Sequence, residues 1–330
     1  MKIKLLILLI FQTFFLFPQS IYASTTQSVN LFRLTFTEQQ ERGPLVHDST
    51  VVWLYSDGFH AYNMETQTDN IIYYNDAAVF PGAYNNKYLI YDKYLGDNDS
   101  RENDIYAVDL TTGEDYEVVG GDGTQDAGDI YEDKLVYTDV YYHGFGFGDL
   151  YIYDLKKKTN TFITNNAAVP RIWKNYVVWY SRVGSGIYDI HAYNLATEKF
   201  IEIPNPDNSN RFYPSIYNNH LIYNQSNGTT SSIRLYDLNN KKEQILTQSS
   251  TIRFGTPDIY KDYAVWDKSP SQHIAGIDGM NLKTGEIFEI FPVGDQMNTR
   301  MPLTIYNNIV SWHSFRTGNG DIYSAIISKH

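Results

Sequence analysis

Four arginines stand shortly before prolines in this chain: Arg42 before Pro44, Arg211 before Pro214, Arg253 before Pro257 and Arg300 before Pro302. A guanidinium presents a planar fork of donors that grips a carboxylate or phosphate through two parallel hydrogen bonds. Such a set around one opening suits an acidic sugar or the carboxylate end of a peptide. The competing use of each arginine is an ion pair with an acid on a neighbouring element. Arg171 follows Pro170 at a different offset. His143, His273 and His313 lie on or beside loops between the second and third strands of their repeats, expected on the same face, as do Tyr141 and Tyr142 in the glycine-interleaved stretch YYHGFGFGD. The acidic stretch GDNDSREND, 96–104, offers Asp97, Asp99, Asn103 and Asp104 as hard oxygen ligands for calcium or another divalent ion. It lacks the glycine and terminal glutamate of a helix–loop–helix calcium site, and a solvated turn is its competing use.

The elements that must position these residues come from a repeat. An aromatic, a short polar turn, an apolar pair and a second aromatic recur seven times, as in WKNYVVW at 173–179, YKDYAVW at 260–266 and YNNIVSW at 306–312. HDSTVVW at 47–53 opens with histidine, and YNNKYLIY at 84–91 carries one extra residue. The closing aromatics, from Trp53 to Trp312, are 38 to 46 residues apart. That is the size of one four-stranded propeller blade. A second phrase follows each copy, as in DIYAVDL at 104–110 and DLYIYDL at 149–155, with the period-two alternation of a strand buried on one face. Asp109, Asp154, Asn194, Asp237 and Asn281 then open tight turns, where a short polar side chain bonds the turn backbone. Gly113 and Gly285 supply positive φ.

The expected fold is therefore all-β: a seven-bladed β-propeller with four antiparallel strands per blade. The blades span about 44–75, 81–119, 127–164, 170–203, 214–247, 257–290 and 302–327. The seventh copy ends before a fourth strand, and VNLFRLT at 29–35 reads as the missing one, so the N-terminal strand is expected to complete the last blade. The aromatics are expected mainly to fill the space between neighbouring sheets. In a propeller the blade-to-blade joints ring one mouth of the central channel. The arginines make one arc of that mouth basic, and Asp76, Asp122, Asp126 and Asp129 make the other acidic.

The pattern P-x-I-Y-x-[ND]-x-[LV]-[IV]-[WY] followed by D-I-Y-x-Y-[DN]-L-x-T-G-[EK] resembles the TolB-type propeller repeat, in the variant found on exported bacterial and archaeal surface proteins. The resemblance covers nearly all of the chain after residue 23. It implies a binding or scaffolding module. TolB itself has six blades and a second domain, for which seven copies leave no room.

Residues 1–23 read as a secretory leader: Lys2 and Lys4, an apolar run from Leu5 to Phe17 too short to span a bilayer, and a small-residue cleavage site at Ala23. Its removal takes the net charge from −12 to −14, which argues against nucleic acid and anionic membranes as partners. There is no cysteine, so neither disulfides nor thiol chemistry enter. No HExxH pair, G-x-S-x-G elbow or sialidase Asp-box is present. His47, His60 and His191 occupy repeat positions otherwise held by tyrosine and read as structural. The expectation is a secreted, periplasmic or cell-surface monomer that binds a glycan, a peptide or a cell-envelope protein without catalysis. The alternative is a metal-assisted polysaccharide lyase or hydrolase that uses His and Arg on the channel face.

Overall fold

The computed structural model describes residues 27–74, 79–95, 102–140, 146–184, 186–271, 274–295, 303–315 and 318–329. The expected leader at 1–23 lies outside them. Among the described residues every regular element is a strand and none is a helix. Strand β1 (Gln27–Arg33) opens the chain. The first sheet takes β2 (Arg42–His47), β3 (Thr50–Tyr55), β4 (Gly58–Asn63) and β5 (Thr68–Tyr74) in sequence order. An eleven-stranded sheet follows, built as three successive meanders. The first is β6 (Val79–Tyr84), β7 (Tyr88–Tyr94), β8 (Asn103–Asp109) and β9 (Glu114–Val119). The second is β10 (Thr124–Tyr131), β11 (Lys134–Val140), β12 (Gly148–Asp154) and the first part of β13 (Thr159–Trp173). The third runs from the rest of β13 into β14 (Tyr176–Val183), β15 (Ile187–Asn194) and β16 (Lys199–Ile201).

The meanders are fused only lightly. One parallel pair, Thr124 with Asn103, joins the first to the second, and β13 changes partner from β12 to β14 after Ala167. Two more four-stranded sheets follow: β17 (Asn210–Tyr217), β18 (His220–Ser226), β19 (Ser231–Asp237) and β20 (Lys242–Ser249), then β21 (Arg253–Tyr260), β22 (Tyr263–Ser271), β23 (Ile274–Asn281) and β24 (Glu286–Asp295).

The last sheet has the order β1, β27 (Asp321–Lys329), β26 (Ile309–Ser314), β25 (Thr304–Tyr306). The N-terminal strand pairs antiparallel with β27 from Gln27–Lys329 to Arg33–Tyr323. It lies two residues earlier than expected, because Thr35 is used differently: its hydroxyl accepts from Ile322 N at 3.0 Å. Arg33 pairs with Asp321 at 3.0 Å, and Gln27 accepts from the Tyr263 hydroxyl of the neighbouring sheet at 3.0 Å.

The local chemistry explains the turns. Asp109, Asp154, Asn194, Asp237 and Asn281 each accept a backbone N–H two or three residues on, at 2.8–3.0 Å. Gly113 and Gly285 hold φ of 76° and 74°.

The core is a series of seven apolar clusters between faces of successive meanders. Val52 and Phe59 of the first sheet meet Leu89 and Tyr91 of the next, for example. Trp53 and Val51 of the first sheet meet Ile309 and Ile322 of the last, so the packing returns to its start. The closing aromatics of the repeat are the centre of these clusters: Trp53, Tyr91, Tyr137, Trp179, Tyr223, Trp266 and Trp312 are 0–3% exposed.

Candidate functional site

Each meander begins with a strand ending in an apolar residue and then an aromatic: Val46-His47, Ala83-Tyr84, Ile130-Tyr131, Ile172-Trp173, Ile216-Tyr217, Ile259-Tyr260 and Ile305-Tyr306. Alternation puts the apolar member into the core between sheets and the aromatic on the other face. Tyr260 is itself buried in a cluster between sheets, and Tyr84, Tyr131, Trp173, Tyr217 and Tyr306 pack against such clusters, as the sequence suggested. The opening aromatics also touch one another. Centroids are 6.2 Å apart for Tyr84–His47, 4.2 Å for His47–Tyr306, 4.1 Å for Tyr306–Tyr260, 4.7 Å for Tyr260–Tyr217, 4.5 Å for Tyr217–Trp173 and 5.1 Å for Trp173–Tyr131. Between Tyr131 and Tyr84 the closure is polar: Lys87 pairs with Asp133 at 2.7 Å, and Asn85 Nδ2 donates to Glu132 O at 3.0 Å. The result is an aromatic circlet with one polar segment.

Above this floor lies a cavity of about 730 Å³. Its waist is set two residues before each aromatic, by Leu45, Gly82, Asp129, Arg171, Ser215, Asp258 and Thr304. The side at β2 and β6 is therefore apolar, and the side from β10 to β21 is charged or hydroxylic. Asp129 accepts from Ile130 N at 2.8 Å and from Ile172 N of the next meander at 3.0 Å. Asp258 does the same with Ile259 N and Ile305 N, both at 2.9 Å, and also accepts from Ser215 Oγ at 2.5 Å. Arg171 lies between these acids and donates to Gly128 O at 2.9 Å. Burial pushes the Asp129 carboxyl up to about 6, against the pull of Arg171 and its N–H donors. Burial also raises Asp258, against Ser215 and Arg171. These acids carry out two tasks: they tie one inner strand to the next, and they face the cavity.

At the opposite end of the inner strands the ladder slips. Register shifts fall between Arg42 and Leu45, Ala168 and Arg171, and Phe212 and Ser215. Gly43, Val169 and Tyr213, each directly before a proline, take φ of 58°, 50° and 52°. Non-glycine residues are costly there. At the bulge Tyr213 is 40% exposed, in ring contact with Tyr180 and Phe212.

No family model matches the chain, and no curated protein matches it. Solved structures do. The β-propeller domain of the trilobed protease from Pyrococcus furiosus, described as having an open velcro topology, aligns with a TM-score of 0.67 at 11% identity, over 90% of this chain and 96% of that one. An oligogalacturonate lyase in complex with manganese aligns at 0.64 and 14%, over 93% and 99%. The oligogalacturonate lyase of Vibrio parahaemolyticus gives 0.63 and 13%, over 91% and 97%. The chain has a β-propeller fold. At these identities the likeness is one of fold alone.

On this propeller one of the four arginines is taken up by the fold itself. Arg211 is 1% exposed and fully occupied. Its Nε bonds Asp189 at 2.5 Å, its Nη atoms bond Pro204 O and Ile203 O at 3.1 and 3.0 Å, and its plane lies 5.5 Å from the Tyr223 ring centroid. It is a joint between sheets, so its assignment as a ligand residue is corrected. Arg42 is exposed and donates to Gln40 Oε1 at 3.0 Å, and Arg253 is exposed at the start of β21. The last sheet separates the sheets that carry them. Arg42 does lie close enough to His313 to act on it electrostatically. Asn103 and Asp104 are residues of strand β8, and Asp104 accepts from Gly121 N at 3.3 Å. Among the described residues no three His, Asp or Glu are grouped to hold a metal ion. Arg300, His143, His273, Tyr141, Tyr142, Asp97, Asp99 and Asp76 lie outside the described residues. Phe147, at the described end of the glycine-interleaved stretch, stacks on Tyr188 at 5.9 Å and meets Tyr180 edge-on at 5.6 Å.

Sequence reasoning passed over Asp258 and Ser215 and set Arg171 aside for its offset. The signal lay in the alternation. Any residue two positions before the opening aromatic shares its face, and a charge there faces the cavity rather than the core.

Proposed function

We infer that the chain is an exported seven-bladed propeller whose central cavity binds the end of a glycan without transforming it. The observation that carries this reading is the cavity itself: tyrosine and tryptophan rings at its floor and Asp129, Arg171, Ser215 and Asp258 at its waist. Pyranose rings offer apolar C–H faces that lie on aromatic rings, and hydroxyls that bond carboxylates and guanidinium together. Arg171 is already balanced by two carboxylates, so a neutral sugar suits this waist better than an acidic one. Four strands per meander, the fourth of the last supplied by β1, account for the blade count. The resemblance to TolB-type repeats of exported surface proteins, and the leader ending at Ala23, agree with a site outside the cytoplasm.

The test is a glycan-binding screen on residues 24–330, followed by calorimetry on the best ligand. Trp173→Ala and Arg171→Gln are each expected to weaken it at least tenfold while the far-UV spectrum stays unchanged. Unaltered affinity in both variants removes the cavity from consideration. The competing reading, a metal-assisted lyase, takes from its fold neighbours only their shape. Release of unsaturated products from oligogalacturonate on addition of manganese would establish it in place of binding.

A further inference from the structure

His313 occupies a position that three other repeats use in one way. It follows the closing aromatic of its repeat, as Asp92, Asn224 and Asp267 do in theirs. Those three spend their polar atoms on the backbone of an inner strand. Asp92 accepts from Ala127 N at 3.0 Å, Asp267 accepts from Thr256 N at 2.6 Å, and Asn224 donates to Phe254 O. His313 is 2% exposed, and neither Nδ1 nor Nε2 has a hydrogen-bond partner among the described residues. A buried polar group left unpaired carries a desolvation cost, and a charged one carries far more.

Its surroundings form the seam that holds the N-terminal segment. Gly320 lies against the ring so closely that a Cβ there would stand 2.0 Å from Nε2. The same Gly320 accepts through its carbonyl from Glu41 N at 2.9 Å, and Leu34 N donates to Ile322 O at 2.8 Å. Phe315 meets the imidazole edge-on at 4.6 Å. The charged groups around it are Arg42 from β2 and Asp321 from β27, which act on the ring in opposite senses. Next to them stand Arg33 on β1, paired with Asp321, and Glu41, whose carboxylate accepts from Thr35 and Thr37.

We propose that His313 is an acid-sensitive latch: protonation of its ring loosens segment 27–41 from the last sheet and opens the seam beside Arg42. A charged imidazole carries two N–H donors, and this site provides neither an acceptor for them among the described residues nor room to turn past Gly320. Burial, with Arg42, lowers its proton affinity to about 4 from an ordinary 6.5. The linkage sign follows. A histidine whose folded-state value is depressed adds stability above 6.5, and that stability drains away as pH falls towards 4. The Asp321 carboxylate moderates the effect without supplying a bond to the ring.

Hydrogen exchange of residues 27–41, corrected for intrinsic rates, tests this on the whole chain. Between pH 7 and pH 5 the opening of that segment should rise by about 20-fold more in the wild type than in His313→Phe. Equal pH dependence in the two proteins overturns the latch. If His313→Phe does not fold, carbon-13 labelling of the histidine rings of the wild type decides. Protonation of His313 in step with lost protection of 27–41 supports the latch, and titration near 6.5 with the segment still protected overturns it.

Discussion

The two aromatics of each repeat look alike on the page and behave differently in the molecule. The closing set is sealed between sheets at 0–3% exposure, and each member serves as the bulk of a cluster. The opening set stands on the inner strands, touches its own kind around a cavity, and keeps most members partly exposed. Position within the sheet makes the difference. A residue on the second strand of a meander has a neighbouring sheet on either side, whereas the innermost strand has open space on one edge. Bulk on the second strand therefore becomes stability, and bulk on the first becomes the shape of a cavity.

The sharpest way to break that distinction is to remove one ring from each set. Trp266→Ala opens a void in a fully buried cluster and is expected to cost about 4 kcal/mol, read as a shift in the denaturant midpoint at constant slope. Trp173→Ala is expected to cost less than half as much, because its ring borders a cavity that already exists. If the two variants lose equal stability, the circlet is ordinary core and the cavity reading weakens with it.

A second contrast runs between two arginines. Arg211→Ala strands Asp189 beside a buried joint and is expected to cost about 3 kcal/mol. Arg171→Ala leaves Asp129 and Asp258 with their backbone donors and should cost less, while ligand affinity falls. Reversal of that order would make Arg171 the structural residue.

The waist can also be addressed by pH. The folded-state value of Asp129 is raised to about 6 from 3.8, chiefly by burial. A raised carboxyl favours the folded state when protonated, so its contribution is complete below 3.8 and is lost as pH rises through 6. In Asp129→Asn the stability gained by the wild type on going from pH 7 to pH 4, on the order of 2 kcal/mol for this group, should be missing. A variant with an unchanged pH profile would show that Asp129 stays ionised in the cavity.

The all-β build and the sequence-order meanders could be read from the chain because repeat length, strand alternation and turn chemistry are local properties. The turn Asp and Asn residues from Asp109 to Asn281 sit where the spacing put them, and the truncated last copy correctly pointed to pairing with the N-terminus. The site was harder to see. Which carboxylates meet Arg171 depends on inner strands some 40 residues apart lying side by side, and the bulges before Pro170 and Pro214 set that arrangement. Arg211 was misread for the same reason. From sequence it matches Arg42 and Arg253, but only Arg211 has Asp189 and two free carbonyls within reach in the fold.

The smallest effect is expected at Arg253, and it bears most directly on the anion reading. Its side chain is exposed at the first residue of β21. Truncation of such a residue falls within about 0.5 kcal/mol. A glycan held by the circlet and the Asp129–Arg171–Asp258 waist does not need it, so Arg253→Ala should leave both the unfolding midpoint and the affinity measured by calorimetry unchanged. If affinity for a carboxylated sugar fell tenfold while the midpoint held, the mouth and not the waist would be where charge is recognised. The ligand would then be acidic, and the aromatic circlet would be a floor beneath a site built on loops.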